Sequence, residues 1–276
     1  MDHTKERTSA SVGLDSGPVF AGEVMGHGLF RMSPGEVAAL RRRPRLIPEG
    51  WGPIAPSLLR NSDEQTIAGL CAVFTAIESM QWPRDRYLGW GVVAASRFLG
   101  RANLARAMQS FLAEGVWGTS PHLIPHFALH SASGTISLGL GLHGPNLGVG
   151  GGLHATAEGF LAALTWLSSG NVPGVWLVLS GWSPELVPDR SGGPPTASDC
   201  QALAIALSAP AFPGGRLKFR AIVGGESHRA TAPVDLVDLA EKLAEGAGAE
   251  PGPRTVATDP LGRLRIELIE EPNGPG

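Results

Sequence analysis

The run from Gly134 to Gly152 constrains this chain more than any other part of it. An apolar helical pattern ends at Gly144-Pro145, because proline cannot continue a helix. A short strand, Asn146 to Val149, follows directly. Gly150-Gly151-Gly152 then turns the chain, and a second helix runs from Ala155 to Leu167 with Ala157, Phe160, Leu161, Leu164 and Leu167 on one side and Gly170 at its end. Consecutive glycines allow the left-handed backbone such a turn needs. A strand that turns tightly into a helix collects backbone N–H groups at one point, a place that suits a phosphate.

The remaining elements are read around this centre. Ser62 and Gln65 fit a capping box before an apolar helical series at Ile67, Leu70, Cys71, Phe74 and Ile77. Tyr87 to Ala95 is apolar and β-rich, as a buried strand should be. Asn103 to Glu114 and Pro125 to Leu138 read as helices, and Val175 to Leu179, Ala202 to Leu207 and Leu217 to Val223 as strands. A helix at Leu236 to Leu243 precedes two short strands, Thr255 to Ala257 and Leu264 to Ile269. This alternation predicts an α/β layer on a largely parallel sheet. Residues 1–15 read as a flexible N-terminus.

Composition excludes several classes. The net charge of −3 offers no electrostatic footprint for nucleic acid or an anionic membrane. Met1 to Ser11 is polar and charged, with none of the apolar core of a signal peptide. The densest apolar run, Val172 to Trp182, is too short for a bilayer, which needs about 20 residues. Two cysteines, Cys71 and Cys200, with no CxxC, argue against disulfides and zinc. The expectation is a cytoplasmic protein without cofactor or metal.

The segment His130 to Glu185 resembles the centre of the β-ketoacyl synthases. Ser133-Gly134-Thr135-Ile136-Ser137, then Gly139 to Asn146, then Ser169-Gly170-Asn171 with Val175 to Glu185 match three successive parts of that family's pattern. The likeness extends over residues 12–230 or so. It implies a thiolase-like half, residues 16–230, with a mixed, mostly parallel five-stranded sheet and helices on both faces. Residues 231–276 would be a short helix-and-strand extension.

Two departures decide what the resemblance implies for activity. The family carries a cysteine nucleophile at the tip of the elbow, where the helix start favours the thiolate. Here the elbow reads Gly150-Gly151-Gly152-Leu153-His154, and the nucleophile position falls on Gly152 or Leu153. The second half of a condensing enzyme, with its histidines, is also missing: about fifty residues and one histidine, His228, follow Gly225. The resemblance therefore implies a subunit that is not itself an enzyme. It would be of the chain-length-factor kind, paired with an active ketosynthase and an acyl carrier protein in fatty acid, polyketide or aryl-polyene-type synthesis. Pairing, as a homodimer or heterodimer, would run through His130, Asn146, Leu147, Gly148 and Val149. The alternatives are an acyltransferase or thioesterase using His154, and a ligand-binding or scaffolding module.

Other candidates have plainer readings. His154 at the elbow, with Glu158 one turn later, fits a general acid or base, and more plainly a helix-start histidine. His122, His126 and His130 fall four apart, yet Pro125 interrupts a common helical face. Gly139, Gly141 and Gly144 formally fit GxGxxG but do not follow a strand. The Gly148 to Gly152 turn would cradle a phosphate or serve as a tight packing turn. Arg41-Arg42-Arg43 and Arg45 read as a solvated basic turn or a phosphate patch.

Overall fold

The computed structural model describes residues 18–42, 47–48, 51–120, 127–185, 198–209, 217–224, 233–246 and 253–270. Along the chain the elements are β1 (Val19–Met32), α1 (Val37–Arg42), α2 (Pro56–Leu59), α3 (Glu64–Met80), β2 (Gly91–Ser96), α4 (Arg101–Glu114), α5 (Leu129–Leu140), β3 (Asn146–Gly150), α6 (Ala155–Ser168), β4 (Gly174–Ser183), β5 (Asp199–Ser208), β6 (Leu217–Val223), α7 (Leu236–Glu245), β7 (Arg254–Thr258) and β8 (Leu264–Glu270).

The expected α/β architecture with helices on both faces is present, but the sheet is larger and less parallel than the sequence suggests. Eight strands run in the order β3-β2-β4-β5-β1-β6-β8-β7. β2 pairs in parallel with β3 and β4, and the other five pairings are antiparallel. Two additions account for the difference. β1 inserts between β5 and β6, and the C-terminal strands β8 and β7 extend the sheet beyond β6.

Alternating residues on the strands feed two cores. Val92, Trp176, Val178, Ala202 and Ala204 pack with α3 and α5 on one face. Val93, Leu177, Leu179, Leu203 and Ile205 pack with α6 and α7 on the other. Twelve residues of α3, from Gln65 to Ile77, are buried, so it is the central helix of its layer. Its cap differs from the expected box. Asp63 is the N-cap and accepts from the Gln65 amide at 2.8 Å, while the Ser62 hydroxyl bonds back to the Leu58 carbonyl. The strand expected from Tyr87 begins only at Gly91. Tyr87 closes a short 3-10 helix and joins a buried aromatic group with Trp51, Trp90 and Trp176.

α6 is enclosed rather than left on an open face. It touches β2, β3 and β4 on one side and β1, β6, β8 and β7 on the other, so the sheet curls around it. The Phe160 and Phe219 rings meet with centroids 4.3 Å apart. A half-length thiolase-like chain would expose this surface; here the C-terminal strands cover it, and burial of each large apolar side chain contributes about 1.5–3 kcal/mol.

Candidate active site: the β3–α6 elbow

The site sits where β3 ends and α6 begins. Gly150 and Gly151 have φ of 89° and 95°, so the left-handed turn expected of the triple glycine is real. A side chain at Gly150 would also run into Ala155. The Gly151 amide donates to the Ser96 carbonyl at the end of β2, at 3.1 Å, which ties the turn to the sheet. Gly152 has open space where a Cβ would be, and Leu153 is 46% exposed at the tip. Either position accommodates a side chain, and neither carries a nucleophile.

His154 is the N-cap of α6, and its Nδ1 lies 3.3 Å from the Thr258 carbonyl oxygen at the end of β7. A carbonyl only accepts, so in this contact the Nδ1–H of His154 donates. Glu158 is exposed one turn along. The end of β7 thus holds the elbow histidine, a placement the spacing alone does not reveal.

No family model and no curated protein sequence matches this chain. Solved structures do. It superimposes on the AntDE:AntF complex of a type II polyketide acyl-carrier protein with its ketosynthase, at TM-score 0.51 and 16% identity over 70% of this chain and 64% of that one. A complex of the ketosynthase ApeO with its chain length factor ApeC from Xenorhabdus doucetiae matches at TM-score 0.51 and 16% identity, over 93% of this chain and 98% of that one. A β-ketoacyl synthase from Burkholderia phymatum STM815 matches at 0.50 and 12%, over 77% and 67%. The fold is the thiolase-like fold of the β-ketoacyl synthases. The chain spans less than two thirds of the first of these structures and almost all of a chain in the second.

The thiolase-like core beneath the elbow holds a closed polar network. The Ser180 hydroxyl lies 2.8 Å from Ser96 Oγ and 3.0 Å from Gln65 Oε1, and Gln65 Nε2 donates to the Arg97 carbonyl at 2.8 Å. The two serines stand on neighbouring strands at the same level, which is why they meet. Arg97 lies against Gly181, where a Cβ would strike its guanidinium, and it faces Glu185 at 4.0 Å. Gln201, opposite Gly181 on β5, is buried with neither amide atom bonded among the described residues. None of Gln65, Ser96, Arg97, Ser180 and Gln201 stood out for this role in the sequence. Only their strand register and the helix cap assemble them.

Neither thiol is placed to act as a nucleophile. Cys71 is fully buried on α3, as its helical spacing implies. Cys200 is fully buried at the start of β5. Burial pushes its thiol well above the ordinary range, and Asp63, Glu64, Asp199 and Glu185 add to the effect. Both fail the requirement for a reactive cysteine, an accessible electropositive setting. Gly139 lies within α5, Gly141 caps that helix at φ 65°, and Gly144 leaves room for the Trp90 carbonyl, so the GxGxxG spacing is a set of packing positions. Among the described residues no His/Cys/Asp/Glu group has the arrangement of a metal site. His130 is exposed in the first turn of α5; His122, His126, His228, Arg43 and Arg45 lie outside the described residues. Among the described residues no helix is long and apolar enough to cross a membrane.

Asp63, which is buried, and the half-buried Glu64 form an acid pair beside this core. Burial raises the Asp63 pKa to about 8, and the adjacent Glu64 carboxylate adds to the rise. Asn103 of α4 reaches both carboxyls, at 3.4 and 3.3 Å, and Arg41 reaches Glu64 at 3.2 Å. The folded chain therefore keeps a proton that the unfolded chain, with an aspartate pKa of about 3.9, releases. That contribution to stability is fully present below about pH 4 and is lost as pH rises through about 8. Thermal unfolding should show Tm falling between pH 5 and pH 8.5. Asp63→Asn, which keeps the cap without a charge, should flatten the profile; an unchanged slope in the variant would contradict the assignment.

Proposed function

We propose that this chain is a non-catalytic, chain-length-factor-like partner of an active ketosynthase in fatty acid, polyketide or aryl-polyene-type synthesis. The observation that carries the reading is the elbow. Gly150 and Gly151 turn the chain through the left-handed region into α6, and Gly152 and Leu153 stand where the resemblance places the nucleophile. The match over 98% of a chain in a ketosynthase–chain length factor complex supports a chain of this length in such an assembly. In this reading Leu153 and the glycine turn shape the acyl channel, and the carrier protein delivers its chain to the partner.

The β3 edge supports pairing there. β3 ends the sheet, and the Val92-to-Pro145 and Gly151-to-Ser96 bonds set the alternation of its backbone. Leu147 and Val149 turn their N–H groups to β2, whereas Asn146 and Gly148 turn theirs outward. The Asn146 amide oxygen is out of solvent and has no partner among the described residues. Gly148 is needed within the chain itself, because α5 starts directly over it, with the Leu129 carbonyl and the His130 amide where a Cβ would be.

The test is incubation of the purified chain with acyl and malonyl thioesters of a carrier protein, alone and with a ketosynthase from the same locus. The chain alone should show no condensation, and the pair should co-purify and release product of defined length. Condensation by the chain alone would overturn the proposal. Thioester hydrolysis lost on His154→Ala would instead establish the acyltransferase or thioesterase reading, for which the hold of the Thr258 carbonyl on His154 Nδ1 at the elbow is the observation in favour.

A further inference from the structure

Away from the elbow, the segment from Trp51 to Leu58 and the last turn of α5 border an open groove of about 730 Å³. That volume lies within the range of about 300–1,000 Å³ typical of small-molecule sites. Leu129, at the start of α5, lies against Gly151 of the elbow, whereas Gly139 is near the helix end, about 15 Å further along. Trp51 is a buried floor, and Ile54, Leu58 and Leu138 supply apolar walls. Leu138 is 73% exposed, so this wall faces solvent rather than the core. Gly139 keeps the groove open. A Cβ there would meet Ile54 Cδ1 at 3.6 Å and Leu58 Cδ2 at 3.7 Å, so a large side chain would fill the space between α2 and α5.

Among the described residues, Arg84 is the only charged side chain that lines the groove. Its guanidinium carbon lies 5.4 Å from the centre of the Trp51 ring, within reach of the ring's negative face. Its Nη2 lies 2.6 Å from the point where a Cβ of Gly141 would be, so the glycine that caps α5 admits the guanidinium. The side chain is thus placed from two sides. It is exposed, and no acidic residue among the described ones pairs with it. A guanidinium presents its N–H donors in a planar fork that matches a carboxylate.

We infer that this groove binds a small amphipathic carboxylate, with its hydrocarbon or aryl body on Trp51, Ile54, Leu58 and Leu138 and its carboxylate on Arg84. Charge decides the class. One unpaired cation complements a monoanion. No acidic side chain among the described residues lines the groove to attract an ammonium group, and a phosphate dianion would lack a second cation there. The apolar walls favour a ligand with a body over a bare inorganic anion. The groove stands apart from the elbow, and the inference does not rest on the chain-length-factor reading.

Octanoate is the probe. Titration calorimetry of the full chain should give saturable one-to-one binding with a Kd of about 1 mM or tighter. Octanol, which has the same body without the charge, should bind about fivefold more weakly, the upper range for an exposed ion pair, and octylammonium more weakly still. Added salt should weaken octanoate and leave octanol nearly unchanged. Arg84→Gln should lower octanoate to the affinity of octanol, while circular dichroism stays unchanged because the residue is exposed. Gly139→Phe should abolish binding of both, and nuclear Overhauser contacts should link the octanoate chain to the Leu138 methyl groups. Absence of saturable binding up to about 10 mM octanoate would overturn the inference. So would octanoate binding that is unaltered in Arg84→Gln. Equal affinity for octanol and octanoate would mark a seat for an uncharged apolar group, such as a side chain of a partner, and would overturn it as well.

Discussion

Gly28→Ala should destabilise the protein by about 3 kcal/mol or more, at the upper end of what overpacking costs. Gly28 lies in β1, where it is paired with Ala204 of β5, and α3 crosses it closely. A methyl group at this position would overlap the Ala72 carbonyl oxygen and the Ala76 amide nitrogen. Both obstacles are backbone atoms of a helix buried over most of its length, so neither can rotate away. The strand or the helix must move, and each carries much of the core on that face. In a chain of this size the loss corresponds to a fall in Tm of about 6–10 °C. Gly35→Ala is the matched control, because that glycine is exposed and the nearest atom to its Cβ position is 4.0 Å away. A Tm for Gly28→Ala equal to that of the control would show that α3 and β1 are not in this contact.

Complex formation with a ketosynthase should protect the outward amides of β3. In the free chain the Asn146 and Gly148 N–H groups lie on the open edge, whereas those of Leu147 and Val149 face β2. Hydrogen exchange resolved to single residues should therefore alternate along β3 in the free chain. In a purified complex, Asn146 and Gly148 should slow by at least about tenfold, as edge pairing satisfies groups that otherwise face water. Leu147 and Val149 should change little. If the complex forms and the alternation persists, the β3 edge is not the docking strand.

The parts of this fold that sequence reasoning reached are those governed by local rules. α6 was legible because its apolar residues repeat at helical spacing and a glycine follows it. The elbow was legible because Gly144-Pro145 and three consecutive glycines admit few backbone paths. Cys71 was placed in the core by the same periodicity. β1, by contrast, gave no strand signal, although it is 14 residues long and central to the sheet. Its glycines break the apolar alternation, and their reason is tertiary. Gly22 leaves room for Leu164 and Leu167, Gly26 for Met80, and Gly28 for the α3 backbone. Missing β1, together with the final two strands' place in the same sheet, accounts for the five-stranded, mostly parallel expectation.

The site divides in the same way. The absence of a nucleophile at Gly152 and Leu153 is a fact of residue identity and was readable without coordinates. The partner of His154 was not: the Thr258 carbonyl is 104 residues away and arrives because the sheet curls around α6. The Gln65–Ser96–Ser180 network and the raised pKa of Asp63 likewise depend on which strands lie side by side and which caps are buried. The sequence by itself determined the local turn chemistry, the helical faces and the missing thiol, because each depends on neighbours a few residues apart. Strand order, the close helix–strand contacts and the cover over α6 were decided by tertiary structure, because they bring together segments with no periodic relation along the chain.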